Sequence, residues 1–169
     1  KKVRVEGFER IEKPFNGYFD VAASNIPFGD VAVFDPAFSA SDAPGRRTAT
    51  KAIHNYFFFK GLDAGRDGGI VAVITSQGVL NAPQNETFRA ELLKQADVVS
   101  VVRLPNNLFT DYAGTEVGSD LILLQKDTLS QREYTPLEHA FVEVGTQADG
   151  TTQNEYFERT AAIVHTRGH

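Results

Sequence analysis

Apolar residues along this chain fall into short runs, each closed by turn-forming residues. Tyr18–Ala23 is the first, and Ile70–Ile74 follows directly on Gly68 and Gly69. Val98–Val102 and the segment "DLILLQ" from Asp120 complete the set. Runs of this length bounded by turn signals are expected of strands inside a sheet covered on both faces. The pattern therefore predicts strands over 18–23, 69–75, 98–103 and 120–126. Between the first two, "TATKAIHNYFFFKGLDAGRDGG" places Ala52, Ile53, Tyr56, Phe57, Lys60 and Leu62 near helical spacing. Gly61 weakens that helix without ending it, and the double glycine stops it. A second helix is expected over Glu86–Lys94, with Asn85 as its cap and Phe88, Leu92 and Leu93 on one side. Helix, glycine turn and strand in succession is the return connection of an α/β sheet.

Other stretches carry less pattern. Val31–Arg47 reads as a long loop, rich in Pro, Ser and Asp. "RLPNNLFTDYAGTEVGS" has no clear periodicity, and loops that long in compact domains are usually functional or mobile. Near the start, "VRVEGFERI" suits a short edge strand running into a turn. Toward the end, "LEHAFVEVG" suits a strand or a short helix, Gly145–Asn154 a loop, and "NEYFERTAAIV" a short helix or strand.

Composition narrows the picture only in part. The 169 residues suit one domain or a large part of one. The net charge of -5 lacks the global basic field of a free-standing nucleic-acid binder, though one face could still meet DNA. Cysteine is absent, which excludes disulfides, thiolate metal sites and thiol nucleophiles, and points to a cytoplasmic setting. No apolar run approaches a membrane span. The chain starts at Lys1 without a Met and is expected to be a piece of something longer.

The strongest candidate chemistry is Asn25-Ile26-Pro27-Phe28, just past the first core strand. Ligands of open α/β sheets bind beyond the C-terminal ends of strands. Asn25 offers an acceptor oxygen on a short side chain. The Ile26 carbonyl, restrained by Pro27, offers a second. Phe28 offers a flat face for a planar base. Two acceptors and a ring would hold an exocyclic amino group. The same residues equally describe a plain turn with Phe28 in the core. Thr75, Ser76 and Gln77 end the second core strand on the same edge and either line a cleft or close the strand. Arg103 ends the third strand and either meets a phosphate or positions the following loop. Arg46, Arg47 and Lys51 either touch a DNA backbone or form a solvated helix start. His54 is expected to be an ordinary satisfied histidine. With His139, His165 and His169 it shows no metal-ligand spacing, so no metal is expected. Gly65–Gly69 precedes a strand, whereas a nucleotide-binding loop follows one, so this cluster is expected to be a turn.

The segment "DVAASNIPFGD" resembles motif IV of the amino-group DNA methyltransferases, whose pattern is Asn or Asp, Pro, Pro, aromatic. "HNYFFFKGLDAGRDGGIVAVITSQGVLN", "VVSVVRLPNNLF" and "TEVGSDLILLQK" resemble the segments that follow it in the adenine-specific branch. The likeness extends to the methylase region of very large bacterial helicase–methyltransferase proteins. It covers roughly Gly17–Lys126. The chain departs from the pattern at Ile26, where Pro is usual, but a backbone carbonyl survives that change.

The resemblance implies an α/β fold, a partial Rossmann-like S-adenosylmethionine-dependent methyltransferase sandwich with a terminal antiparallel hairpin and spatial strand order 4-5-7-6. Residues 1–127 would be the C-terminal part of the catalytic domain, and 128–169 an extension leading out of it. It implies that Asn25 and the Ile26 carbonyl accept from the adenine amino group, that Pro27 shapes the turn and that Phe28 stacks on the flipped base. Phe28, Thr75, Ser76, Gln77 and Arg103 would bind substrate. The S-adenosylmethionine loop would lie upstream of Lys1. The implied partners are double-stranded DNA, the upstream half of the same domain and a fused helicase, with no membrane. The alternatives are an inert methyltransferase-like DNA-binding or structural module and a protein glutamine methyltransferase, which shares the Asn-Pro-Pro-aromatic pattern.

Overall fold

A computed structural model describes residues 15–26, 35–49, 53–106, 118–128 and 133–160. Four strands form one sheet: β1 (Phe19–Asn25), β2 (Gly65–Ser76), β3 (Ala96–Leu104) and β4 (Ser119–Lys126). Their order is β1-β2-β4-β3. β1 and β2 are parallel, and β4 runs antiparallel to both β2 and β3. This is the expected 4-5-7-6 order, with β3 and β4 as the antiparallel hairpin. The helices of the first half are α1 (Pro36–Ser39), α2 (Pro44–Ala49), α3 (Ile53–Ala64), α4 (Gly78–Asn81) and α5 (Glu86–Leu93). After β4 come α6 (Pro136–Val142), a small hairpin of β5 (Val144–Thr146) and β6 (Thr152–Asn154), and α7 (Tyr156–Arg159). Among the described residues, no helix is long and apolar enough to cross a membrane.

The core lies on one face of the sheet. Along β2, Val71, Val73 and Thr75 are buried while their neighbours are half-exposed, the period-2 signature of a strand covered on one side. Ile122 and Leu124 of β4 pair opposite Val73 and Val71 and extend the same face. α3 covers it with Tyr56, Phe58, Phe59 and Leu62. Phe58 and Phe59 both meet Phe88 of α5 edge-on, with centroids 5.7 and 5.4 Å apart. Phe141, Tyr156 and Phe157 join this same cluster, so 133–160 packs on the core that the sheet builds.

Several expected boundaries shift. β1 ends at Asn25, not Ala23, and among the described residues it lies at the edge of the sheet; Val21 in it and Tyr18 just before it are 59% and 66% exposed. Its apolar run reads as buried, but among the described residues only β2 pairs with it. The helix expected to reach Gly68 stops at Ala64, because the chain enters the sheet at Gly65. Gly65 pairs with Phe19 and Ile70 with Val21, so 66–69 is an excursion within the ladder. Gly68 there has φ +77, a conformation that favours glycine. The stretch expected as loop over 31–47 contains α1 and the start of α2. Asp35 organises it, accepting from the Phe38 amide and from the Tyr56 hydroxyl at 2.8 Å. Asn85 stands at the cap position of α5 but makes no capping bond. Its side chain instead donates to the Gly78 carbonyl. Residues 145–154 form a hairpin in place of the expected loop.

Arg89 lies at the centre of the helical layer and is fully buried. Its Nε donates to the Val142 carbonyl at 3.0 Å, and its Nη1 donates to those of Val79 and Ala82 at 3.2 and 2.9 Å. Burial lowers its pKa to about 10.

Two glycines give a test of this packing. A Cβ on Gly61 would sit 3.4 Å from Val71 Cγ1, an ordinary contact. Gly61→Ala is expected to stabilise by about 1 kcal/mol through helix propensity. A Cβ on Gly69 would meet the Arg66, Asp20 and Phe19 carbonyl oxygens at 2.8, 3.0 and 3.2 Å. Gly69→Ala is expected to destabilise by roughly 1–3 kcal/mol, because backbone must move. Urea midpoints of the two variants check the signs; two equal losses would contradict the α3–β2 spacing described.

Candidate functional site

The ends of β1 and β2 meet at one edge of the sheet, where Asn25 pairs with Ile74 and the chain leaves β2 at Ser76. Ala22 lies against Gly61 of α3, so alternation puts Ser24 and Ile26 on the α3 side and Asn25 on the other. Asn25 is exposed at the strand end. Ile26 is fully buried, and its amide donates to the Ile74 carbonyl at 3.0 Å. The ladder thus continues one residue beyond β1 and fixes the backbone on both sides of Asn25. Pro27 and Phe28 lie outside the described residues.

Thr75, Ser76 and Gln77 sit beside Asn25 as expected, but they do different things. The Thr75 hydroxyl is buried and bonds His54 Nδ1 at 2.6 Å, so it ties β2 to the first turn of α3. Ser76 is half-buried opposite Ser119. The Gln77 amide donates to the Gly118 carbonyl at 3.0 Å, and its side chain lies over Gly118, leaving no room there for a Cβ. Its Nε2 donates to Asn106 Oδ1 at 3.4 Å.

Arg103 ends β3 on the same edge, two strands away. Its Nε and Nη2 donate to the two oxygens of Asp120 at 2.9 and 3.0 Å. Nη2 also reaches Asn81 Oδ1 at 2.9 Å, Nη1 reaches Gln153 Oε1 at 3.4 Å, and the guanidinium stacks 4.0 Å from the Phe157 ring centroid. The guanidinium therefore joins the hairpin, α4 and the C-terminal segment. Arg46 is similarly engaged, paired with Asp63 and lying 4.3 Å over the Phe38 ring. Arg47 donates to the Ser41 and Asp42 carbonyls. Among the described residues, no group of three or more His, Asp or Glu is placed to hold a metal ion.

The family model for N-6 DNA methylases matches residues 5–159. The chain belongs to the N-6 DNA methylase family. It is similar to Defense against restriction protein B of Escherichia phage P1, with 27% identity over 142 residues, 81% of this chain and 6% of that protein. Two solved structures share its fold. One is the M protein of the type I restriction enzyme EcoKI, with TM-score 0.51, 23% identity, and coverage of 65% of this chain and 21% of that one. The other is described as a modification subunit of a type I restriction enzyme from Vibrio vulnificus YJ016, with TM-score 0.53, 15% identity, and coverage of 90% and 40%. The chain therefore spans a small part of the relatives it matches.

Within this methylase-family sheet, the residues that sequence reading missed are Asn81, Asn154 and Gln153, which hold Arg103 and the turn after β2. They stand in polar, turn-like stretches where nothing local marks a long-range partner. Asp120 is legible only as the first residue of an apolar run. Burial pushes its carboxyl pKa above the ordinary 3.8, and the Arg103 guanidinium pulling the other way is the smaller effect. A carboxyl raised by folding adds most stability in acid, below its unfolded value. That contribution fades as pH rises through the raised folded value.

A buried pair of this kind is expected to show strong coupling and little net stability. Asp120→Leu alone leaves the Arg103 charge buried without its carboxylate and should cost about 3–5 kcal/mol. Arg103→Met combined with Asp120→Leu should recover most of that loss. A double-mutant cycle by urea denaturation measures the coupling; additive losses would show that the two side chains act independently.

Proposed function

We propose that this chain is the base-holding part of a DNA adenine methyltransferase, which transfers a methyl group from S-adenosylmethionine to the exocyclic amino group of adenine. The observation that carries the reading is the family match over 5–159, together with Asn25 standing exposed at the C-terminal end of β1. Asn25 Oδ1 and the Ile26 carbonyl would accept from the adenine amino group and leave its nitrogen lone pair facing the methyl group. Phe28 would stack on the flipped base. Ser76 and Gln77 would line the neighbouring wall, with Thr75 and Arg103 holding that wall from behind. Positioning and electrostatics would carry the catalysis.

The described residues do not fit S-adenosylmethionine. The glycine cluster at 65–69 enters β2 at the opposite end of the sheet from Asn25, and no other described segment offers a glycine-rich turn after a strand. We assign donor binding to the rest of the methyltransferase domain, upstream of this chain in the same protein. The position of β1 at the sheet edge among the described residues is in keeping with that division. Tyr18, Phe19 and Val21 are exposed there, beside an apolar groove of about 330 Å³ that runs between β1 and α3. Double-stranded DNA is the proposed substrate, and a fused helicase is a further proposed partner.

Two measurements test this. Titration of S-adenosylmethionine into the 169-residue chain by calorimetry should give no saturable binding at micromolar concentration; tight binding would mean that the donor site lies within it. In the whole protein, Asn25→Ala should slow single-turnover methylation of an adenine-containing duplex roughly a hundredfold, as expected for loss of a contact worth about 3 kcal/mol. Phe28→Ala should weaken base holding by on the order of 1–3 kcal/mol. Melting temperatures belong beside both, since truncating a buried Phe costs about 3–5 kcal/mol. A folded Asn25→Ala protein that methylates at the parent rate would falsify the catalytic role of the tetrapeptide, and methylation of glutamine in a protein would move the reading to that substrate.

A further inference from the structure

The turn that follows Ser76 is built unlike the rest of the helical layer. α4 has four residues, too few to hold itself in water. Its carbonyls are held from outside instead. Gly78 O accepts from Asn85 Nδ2 as well as from the Ala82 amide. Val79 O and Ala82 O accept from Arg89. Leu80 O accepts from Asn154 Nδ2 at 2.9 Å, and Asn81 O from the Thr152 hydroxyl at 2.8 Å. Five successive carbonyls, from 78 to 82, thus have side-chain partners, two of them on β6 and more than seventy residues away in sequence.

Asn81 is the joint of this arrangement. Its amide donates to the Gln77 carbonyl at 2.9 Å, directly behind the end of β2. Its side-chain Oδ1 accepts from Arg103 Nη2 at 2.9 Å and from the Asn154 amide at 3.1 Å. One residue therefore connects the ends of β2 and β3 with the C-terminal hairpin. Gln77 in turn is fastened, through the Gly118 carbonyl, to the residue just before β4. A site that must hold a reactant to within a fraction of an ångström needs its lining residues fixed by a supporting layer.

We propose that Asn81 is a positioning residue for Ser76 and Gln77, and that the segment 136–160 acts through it to hold the substrate-facing edge in a single arrangement. The inference rests on the methyltransferase reading above and gives 136–160 a part in it. Asn81 works as an acceptor through one oxygen, so its chemistry separates from its shape. Asn81→Asp keeps an acceptor for both Arg103 and the Asn154 amide. Asn81→Leu keeps the volume and removes it.

The experiment compares N81L, N81D and the Asn25→Ala control in the whole protein. Amide hydrogen exchange over residues 76–82, the single-turnover rate, DNA affinity and melting temperature are measured for each. In N81L, exchange over 76–82 should rise and transfer should slow, each by about tenfold, as loss of one or two ordinary hydrogen bonds allows. DNA affinity should change little, and N81D should recover most of both losses. Should N81L fail to fold, Thr152→Val removes only the bond to the Asn81 carbonyl and should show the same direction at smaller size. The inference is overturned if exchange rises while transfer is unchanged, if exchange does not rise, or if N81D behaves as N81L. Transfer at the parent rate by Asn25→Ala overturns the underlying reading and this inference with it. A dead Asn25→Ala beside an unimpaired N81L overturns this inference alone.

Discussion

The arrangement of helices around this sheet depends on one buried guanidinium. Taking a cation out of water costs several kcal/mol even after relaxation. Arg89 offsets that cost with carbonyl oxygens, the exposed negative ends of backbone that α4 and α6 cannot satisfy internally. The exchange is mutual. Without Arg89, two short helices would bury unpaired carbonyls; without those carbonyls, a charge would be stranded. Among the described residues its Nη2 has no hydrogen-bond partner, which fits a pKa depressed by burial. Because Val79 and Val142 lie far apart in sequence, this side chain helps to make the C-terminal segment part of the layer that backs the sheet.

The sheet was legible in the sequence because its strands are marked locally. Short apolar, β-branched runs such as Ile70–Ile74 and Val98–Val102 read as strands, and β3 and β4 extend the expected ranges by only one or two residues at an end. What escaped reading is held by distant partners. α4 has no periodicity to detect, and its carbonyls are satisfied by Arg89, Thr152 and Asn154. Asn85 carries the residue type of a cap, yet tertiary geometry turns its side chain toward Gly78. Thr75 looks like a cleft residue by position, but the pleat aims its hydroxyl at His54. β1 reads as buried because composition reports what a strand can bury, and not which of its residues the described chain covers.

Ile26 shows how a departure from a familiar pattern can be structurally neutral in one respect and consequential in another. The carbonyl expected to face the base exists whichever residue stands there. The amide does not: proline could not donate the bond that Ile26 makes to Ile74. Here a ladder bond and a buried aliphatic side chain restrain the turn, in place of a ring that fixes φ.

The strand order also sets a schedule. β4 lies between β2 and β3 in space but is the last of the four in sequence. As the chain leaves the ribosome, β1, α3 and β2 can associate early, since they are neighbours along the chain. β3 then emerges with no partner, and one side of β2 stays open, until residue 126 has been made. For that interval of synthesis the nascent chain carries two apolar strands with unpaired edges, the condition under which non-native pairing competes most strongly with folding.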